Sequence, residues 1–166
     1  MAVTSTLTFK IKTVLTKVTG LGAPADTMDK DLSDTLTDGT EKDRCDIVWS
    51  DTRALSANSS ETLDLNATLI DALGTTVNAL KVVAIVFHNK ETTAGLNLQI
   101  GAGSTTFNLF GSLSSRYNLG PDGIYFIWEP SLAAKSVTAG SADLLQVRNG
   151  NASVVNYEVA ILARTA

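Results

Sequence analysis

Turn-forming residues recur along the chain at intervals of roughly 10–15 residues, and this spacing restricts the fold more than any other feature. The segments between the turns are short and rich in Thr, Val, Ile and aromatic residues, which favour strands. No amphipathic helix of the length that connects parallel strands separates them, so a parallel α/β fold is not expected. The pattern predicts an all-β protein, an antiparallel β-sandwich or jelly roll with about eight strands and at most short helices.

The most apolar segment, Ala79–Asn89, is predicted to be a central strand that pairs with Asn97–Ile100 in a hairpin. Residues 66–75 are predicted to form a short helix, because Asn66 is a suitable N-cap and Gly74 is a suitable residue after the helix end. The other strands are predicted at 46–54, 61–65, 106–109, 123–129, 136–139, 143–148 and 154–163. We therefore expect residues 44–166 to form the jelly-roll body of a single domain that spans residues 1–166.

Residues 1–18 are predicted to form an N-terminal strand or arm before this body. Leu7, Phe9 and Ile11 alternate with threonine and lysine, so apolar and polar side chains are expected on opposite faces. Such a segment either completes a sheet of its own chain or adds a strand to the sheet edge of a neighbour.

Residues 19–43 hold seven of the 17 acidic residues and only two lysines, in a chain of net charge −4. This composition predicts a long acidic loop, with at most a short helix around Met28–Leu36. Its aspartates offer oxygen ligands for calcium, but the segment lacks the glycine and glutamate of an EF-hand loop. We favour a solvated acidic loop over a calcium site, with docking onto a basic surface of a neighbouring protein as a further alternative. The candidate interface residues of this segment are Asp29, Asp31, Asp34 and Asp38.

Charge and hydropathy argue against two classes of partner. An acidic chain without a basic face is not expected to bind nucleic acid directly. No run approaches the roughly 18 apolar residues of a membrane span, so no membrane partner is expected. The single cysteine, Cys45, excludes an internal disulfide and is predicted to be a small buried residue.

Catalytic chemistry is not predicted either. The only histidine, His88, lies near the end of the strongest predicted strand, where a polar residue needs no catalytic explanation. A general base needs an orienting partner and a substrate within hydrogen-bond reach, and no G-x-S-x-G motif is present. We predict no enzyme activity, no metal and no cofactor.

Six of the ten aromatic residues fall within residues 107–128. Alternation in the segment 124–129 places Tyr125 and Ile127 on one face and Trp128 on the other, so both faces carry large apolar groups. Such a strand is either buried on both sides or contributes one face to a subunit interface. A stacking platform for sugars is the functional alternative. The candidate interface residues of this region are Phe110, Tyr117, Tyr125, Ile127 and Trp128.

Four segments between residues 61 and 162 share a recognisable arrangement. They are the apolar strand ending in His88-Asn89, NLFG at 108–111, PDGIYFIWEP at 121–130 and AGSADLL at 139–145. Together they resemble the capsid decoration, or cement, proteins of tailed bacteriophages, over about 60% of the chain.

The resemblance implies a jelly-roll structural protein on the outer surface of the virion capsid. It implies binding to the major capsid protein, self-association as a homotrimer, and a role in bridging capsid subunits. It transfers no functional residue. A capsid clamp needs no active site, because binding to the assembled shell stabilises that shell by mass action. The alternative is a carbohydrate-binding β-sandwich module or a virion adhesin, for which the aromatic cluster is the relevant feature.

Overall fold

The regular secondary structure is entirely β in the computed structural model, which describes residues 2–17, 23, 25–102, 107–112 and 114–166. The prediction of an all-β protein is confirmed, but twelve strands form instead of about eight. The strands are β1 (Thr4–Thr16), β2 (Ala25–Asp38), β3 (Arg44–Cys45), β4 (Ile47–Leu55), β5 (Ser60–Asp64), β6 (Lys81–Asn89), β7 (Leu98–Gly101), β8 (Arg116–Leu119), β9 (Ile124–Trp128), β10 (Lys135–Ser136), β11 (Leu144–Asn149) and β12 (Val155–Arg164). No helix within the described ranges has the length and apolar character needed to cross a membrane.

Two sheets bury a common core. A five-stranded sheet has the order β10-β6-β12-β4, with β9 also paired to β6, and a four-stranded sheet has the order β5-β11-β7-β8. We call them the large sheet and the small sheet. The main buried cluster includes Phe87 and Ile161 of the large sheet together with Ile100 and Leu145 of the small sheet. This layering is consistent with a β-sandwich.

The predicted hairpin between residues 79–89 and 97–100 does not form. β6 pairs with β12 on one side and with β9 and β10 on the other, so both of its edges are occupied. β7 pairs with β11 and β8 in the small sheet. The connection after Asn89 therefore passes from one sheet to the other, because β9 and β10, which come later in the chain, take the edge that a hairpin would use.

The predicted helix at residues 66–75 is replaced by turns. The Asn66 side chain donates to the carbonyl oxygen of Ala79 and does not cap a helix. The Asp71 carboxylate accepts the backbone N–H groups of Leu73 and Thr75, at 2.8 Å each, and closes a turn. Side chains of Asn and Asp favour such local turns over helix interiors.

Buried polar side chains hold the strand ends together. Asn89 and Asn149 are fully buried, and each donates its amide to three backbone carbonyl oxygens. Arg164 is also fully buried and donates to three carbonyl oxygens, including that of Arg44. Buried donors need such partners, so these residues fix the loops that they contact.

β1 and β2 form a long antiparallel hairpin, which we call the arm. Thirteen residue pairs join the two strands, from Thr4–Thr37 to Thr16–Ala25. At about 3.4 Å per residue, the paired region is roughly 44 Å long. β3 extends this sheet at its base by parallel pairing with β2. We call residues 44–166 the body.

The acidic segment is therefore mostly a strand, and the prediction of a long loop over residues 19–43 is wrong for residues 25–38. Residues 39–43 form bends and turns, while 19–22 and 24 lie outside the described residues. The predicted short helix within this segment is absent as well, since the whole of 25–38 is extended.

Charge pairing across the arm explains why an acidic segment can form a strand. Lys10 lies opposite Asp31, and Lys12 lies opposite Asp29. The Lys10 ammonium is 3.2 Å from the Asp31 carboxylate and 3.9 Å from that of Asp29. Opposite charges on facing residues stabilise a strand pair. The lysines of β1 therefore stabilise as a strand a segment whose acidic composition alone does not favour one.

Candidate protein interface

The arm has one apolar face and one polar face. Residues directly opposite each other in an antiparallel pair point to the same side, so the register assigns every side chain to a face. One side carries threonine, serine, lysine and aspartate, interrupted by Val14. The other side carries seven large apolar residues: Leu36 at the base, and six that we call the stripe, Leu7, Phe9, Ile11, Leu15, Met28 and Leu32. Thr13, Asp26, Lys30 and Asp34 lie between the stripe residues on the same side.

The stripe begins in the body and ends in solvent. Leu36, on the same face at the arm base, is fully buried, and Leu7 is half-buried. Phe9 is 52% exposed, Leu32 69% and Leu15 70%. Monomeric proteins seldom expose contiguous apolar patches of more than a few hundred Å², so this face is a candidate docking surface.

The base of the arm is firmly joined to the body. Leu36 packs in a small buried cluster with Val3, Cys45 and Val83, and Trp128 lies against that cluster. The prediction that Cys45 is buried is confirmed, and burial raises the pKa of its thiol. The arm therefore has a fixed attachment, although its outer half has no covering layer among the described residues.

The outward face of the large sheet changes from apolar to polar with distance from the arm base. Its strands pair in register, so cross-strand neighbours form three rows. The row nearest the arm contains Trp128, Ala84, Leu162 and Val48, the middle row contains Phe126, Val86, Ala160 and Ser50, and the far row contains Ile124, His88, Glu158 and Thr52.

A groove of about 340 Å³ lies where the arm meets this face. Its arm side is formed by residues 5–7, and its sheet side has a floor of small or short apolar residues: Ala84, Val86, Ala160 and Leu162. Because two of these are alanines, the floor is lower than the large side chains that flank it, Phe126 and Trp128. The groove thus offers an apolar depression that is open to solvent.

The far row is charged. The Lys90 ammonium is 2.6 Å from the Glu158 carboxylate, and His88 lies between Glu158 at 3.5 Å and Asp122 at 3.6 Å. The hydrogen bond from Lys90, and then that from His88, lowers the pKa of Glu158. His88 borders a depression of about 540 Å³ with a mixed lining that includes Ser50 and Thr52 as well as Val86 and Ala160, which also line the groove.

The predicted aromatic interface residues divide between the two sides of β9. Tyr125 and Ile127 pack against the main core, whereas Trp128 lies on the outward face at the arm base. Tyr125 contacts Phe110 and Tyr117, with ring centroids 5.5 and 4.9 Å apart. Tyr125 and Trp128 therefore do not line a common groove, which is what the sugar-binding alternative requires of them.

Glycine at one position makes room for this aromatic cluster. Gly101 has a φ of 91°, and a Cβ there would lie 2.7 Å from the Phe110 ring and 2.8 Å from the Ser115 carbonyl oxygen. Burial, and then the neighbouring Tyr117, raises the pKa of Tyr125. The Phe110 and Tyr117 rings are stacked, whereas Tyr125 meets Phe110 edge-on and Tyr117 at a tilt, so the three rings pack against one another and do not form one flat platform.

The four predicted aspartates do not converge. Asp29 and Asp31 lie on the polar face of the arm beside Lys10, whereas Asp34 lies on the apolar face opposite Leu7. Asp38 accepts the backbone N–H of Val3 at the arm base. Across the ranges that the structure describes, no group of three or more His, Cys, Asp or Glu residues is placed to hold a metal ion.

The β2 half of the stripe and the whole groove were not predicted from the sequence. Met28, Leu32 and Leu36 recur at every fourth residue of a run that reads mainly as acidic, and this spacing is the one signal for a common apolar face. The same spacing also fits one face of a helix, and Lys30 and Asp34 lie between these residues on the strand face. Ala84 and Ala160 carry no comparable signal, because a small residue in an apolar strand also fits a core. Comparisons of the protein with family models, with curated proteins and with solved structures find no match.

Proposed function

We propose that the protein is a structural virion protein that binds the outer surface of a tailed-phage capsid and stabilises it by bridging major capsid protein subunits. Its body is of jelly-roll type in this proposal, and its partners are the major capsid protein and further copies of itself, as a homotrimer. It acts without catalysis, at the exterior of the shell.

The observation that carries the proposal is the arm. A protein that bridges subunits needs a contact surface that extends beyond its own globular part, and the arm has a paired length of roughly 44 Å. Its stripe is apolar and exposed, with Leu32 69% exposed, and an isolated two-stranded hairpin is only marginally stable in water. Such an element is favoured in a protein whose working state is an assembly.

The resemblance of residues 61–162 to decoration proteins supports the same function. It covers the body and not the arm, so the two lines of support come from different parts of the chain. Sugar binding is less well supported, since Tyr125 and Trp128 lie on opposite sides of β9.

This function is tested by mixing the purified protein with tailed-phage capsids that lack a decoration protein. We expect the purified protein to co-sediment with them and to raise the temperature at which the shell disassembles, because a ligand that binds only the intact shell stabilises it. The matched variant replaces residues 10–31 with Asn-Gly, which closes the hairpin at the Phe9–Leu32 pair with a favoured two-residue turn. This shortened-arm protein is expected to keep its own melting temperature and to lose capsid stabilisation. A wild-type protein that neither co-sediments nor raises the disassembly temperature contradicts the proposal.

A further inference from the structure

We infer that the Asn149-Gly150 pair is a self-modification site, closed in the folded protein and open when the protein unfolds. The reaction is deamidation, in which the side chain of Asn149 loses ammonia and the residue becomes aspartate or isoaspartate. The substrate is the chain itself and the co-reactant is water, so this chemistry does not depend on binding to a capsid.

Asn149-Gly150 is the only Asn-Gly pair in the chain. In deamidation, the backbone nitrogen of the following residue attacks the side-chain carbonyl carbon of asparagine. A new C–N bond closes a five-membered ring, the bond to the side-chain nitrogen breaks, and that nitrogen leaves as ammonia with the backbone proton. Water then opens the ring at either carbonyl group. Glycine has no Cβ to hinder the attacking nitrogen, so an Asn-Gly pair favours this reaction.

The fold does not require glycine at position 150. Six described glycines have a positive φ, but Gly150 is not among them. It is exposed, directly after the end of β11, and a Cβ at this position would meet no atom within 4 Å. Another residue would therefore fit here, and what glycine contributes is an unhindered backbone nitrogen beside Asn149.

The folded protein fixes the Asn149 side chain at both ends of its amide. The Nδ2 atom donates to the carbonyl oxygens of Leu55, Ser56 and Ser153, at 2.9, 3.0 and 2.7 Å. The Oδ1 atom accepts the backbone N–H of Asn151 at 2.9 Å and its side-chain amide at 2.8 Å. Ring closure needs this side chain to turn toward the next backbone nitrogen, and the turn breaks these contacts.

Burial closes the site as well. Asn149 is fully buried, so the water and base that the reaction consumes do not reach its amide. The three carbonyl oxygens that it contacts belong to the end of β4 and to the connection between β11 and β12. Deamidation therefore requires an opening that separates both segments from the end of β11, and such openings cost free energy.

Asn89 has the same arrangement without the glycine. It is fully buried, donates to three carbonyl oxygens, and accepts the backbone N–H of Glu91 at 3.2 Å. The residue that follows it is Lys90. The structural role of such an asparagine therefore does not call for glycine in the next position, and only Asn149 combines this role with a reactive pair.

The product does not fit the folded state. Aspartate has no N–H group to donate, so its carboxylate would face the carbonyl oxygens of Leu55, Ser56 and Ser153 in a buried setting. A buried charge without a partner is strongly unfavourable. Isoaspartate also adds a methylene group to the backbone at the strand end. A chain modified while it is unfolded therefore does not refold, and its loss is irreversible.

Peptide mass spectrometry tests whether folding closes the site. The wild type is kept at mildly alkaline pH with a thiol reductant for Cys45, in native buffer and in guanidinium chloride. Asn58, an exposed asparagine followed by serine, reports what the denaturant does to the reaction itself. The ratio of the unfolded rate to the native rate is expected to be at least about tenfold larger at Asn149 than at Asn58, because only opened molecules react at Asn149. A smaller excess overturns the inference.

Gly150→Lys tests the part that glycine plays, since it gives Asn149 the same following residue as Asn89. The melting temperature is expected to stay unchanged, and deamidation of Asn149 in guanidinium chloride to slow by about tenfold or more, because a Cβ now lies beside the attacking nitrogen. The control is Ala152→Lys, which adds the same charge at an exposed position of the same loop and is expected to react like the wild type. A lowered melting temperature or a wild-type rate in Gly150→Lys contradicts the assignment.

Refolding tests whether the reaction is one-way. Samples held in guanidinium chloride for increasing times are diluted into native buffer, and native protein is separated from misfolded protein by size-exclusion chromatography. Chains modified at Asn149 are expected only in the misfolded fraction, and the native yield is expected to fall with holding time faster in the wild type than in Gly150→Lys. Modified chains in the native fraction, or equal losses in the two proteins, overturn this step.

Discussion

The arm and the body use the same alternation of apolar and polar residues with opposite results. In the body, the apolar faces of two sheets meet, and Ile85, Leu98 and Leu145 are fully buried. In the arm, one apolar face forms without a second layer, so Phe9 and Leu32 remain exposed. Alternation thus determines which face is apolar, whereas burial depends on whether the chain supplies a layer to cover it.

Replacing leucine by alanine in the body and in the arm gives the largest expected difference in the free energy of unfolding. Leu145→Ala removes a fully buried side chain from the core and is expected to lower the free energy of unfolding by about 2–5 kcal/mol. Leu32→Ala removes a side chain that is 69% exposed and is expected to change the stability of the monomer by less than about 0.5 kcal/mol.

Urea unfolding of both variants, monitored by tryptophan fluorescence, measures this contrast. Equal losses of stability at the two positions would show that the arm has a covering layer within its own chain.

A buried polar contact in the body is expected to contribute more to the free energy of unfolding than an exposed one on the arm. The hydroxyl of the fully buried Tyr157 donates to Glu61 at 2.8 Å, and Arg53 also donates to Glu61. Tyr157→Phe is expected to lower the free energy of unfolding by about 1–2 kcal/mol. Asp31→Asn, which removes the exposed partner of Lys10 on the arm, is expected to cost no more than about 0.5 kcal/mol.

The pH dependence of unfolding identifies the contribution of Tyr157. Burial, and then the hydrogen bond and charge of Glu61, raises the pKa of Tyr157 far above its usual value of 10. Below pH 10 the phenol is neutral in both states. Above pH 10 it ionises only in the unfolded chain, so stability falls as pH rises, by up to about 1.4 kcal/mol per pH unit. The fall should be shallower in Tyr157→Phe, and an unchanged slope above pH 10 would refute the buried, neutral phenol.

The smallest expected effect lies on the body surface. Lys90, and then His88, lowers the pKa of Glu158, although this carboxylate is exposed. A lowered pKa stabilises the folded state above the usual value of 4.5, and this contribution is lost as the pH falls through the folded-state pKa. Glu158→Gln is therefore expected to be slightly less stable than the wild type at pH 7, with the difference fading in acid and in high salt.

An acid titration of unfolding at two salt concentrations measures the Glu158 effect, with Asp31→Asn as the reference from the arm. Similar, small and salt-sensitive effects at both sites would show that exposure, and not the region of the molecule, determines the strength of these ion pairs. A large, salt-insensitive loss at Glu158 would place that carboxylate in a more buried setting than the structure gives it.

Local pattern predicts most strands of the body and the first strand of the arm, β1, but not the second strand, β2. The strands β4, β6, β11 and β12 are predicted close to their true bounds because each combines β-forming residues with turns at its ends. β2 is missed because its stability as a strand depends on Lys10 and Lys12 in a distant segment. Pairing between segments is a property of the tertiary structure, which also explains why the partner of β6 is predicted incorrectly.

The candidate interface is also predicted only in part, because local patterns show the faces of single strands and not which strands come together. Alternation identifies Phe9 and Ile11 as members of one face, and Tyr125 and Trp128 as members of opposite faces of β9. The groove combines residues from the arm base, β6 and β12, and no local pattern brings these three segments together.

Side chains along each strand of the arm point to alternate faces, and this two-residue repeat restricts how the length of the arm can evolve. One residue inserted into β1 alone would turn every later side chain of that strand to the other side and divide the stripe between both faces. Two residues added to each strand would lengthen the hairpin by about 7 Å and keep both faces intact. Homologues are therefore expected to differ in arm length by even numbers of residues per strand. Their reach would vary in discrete steps, while the body that anchors the arm stays the same.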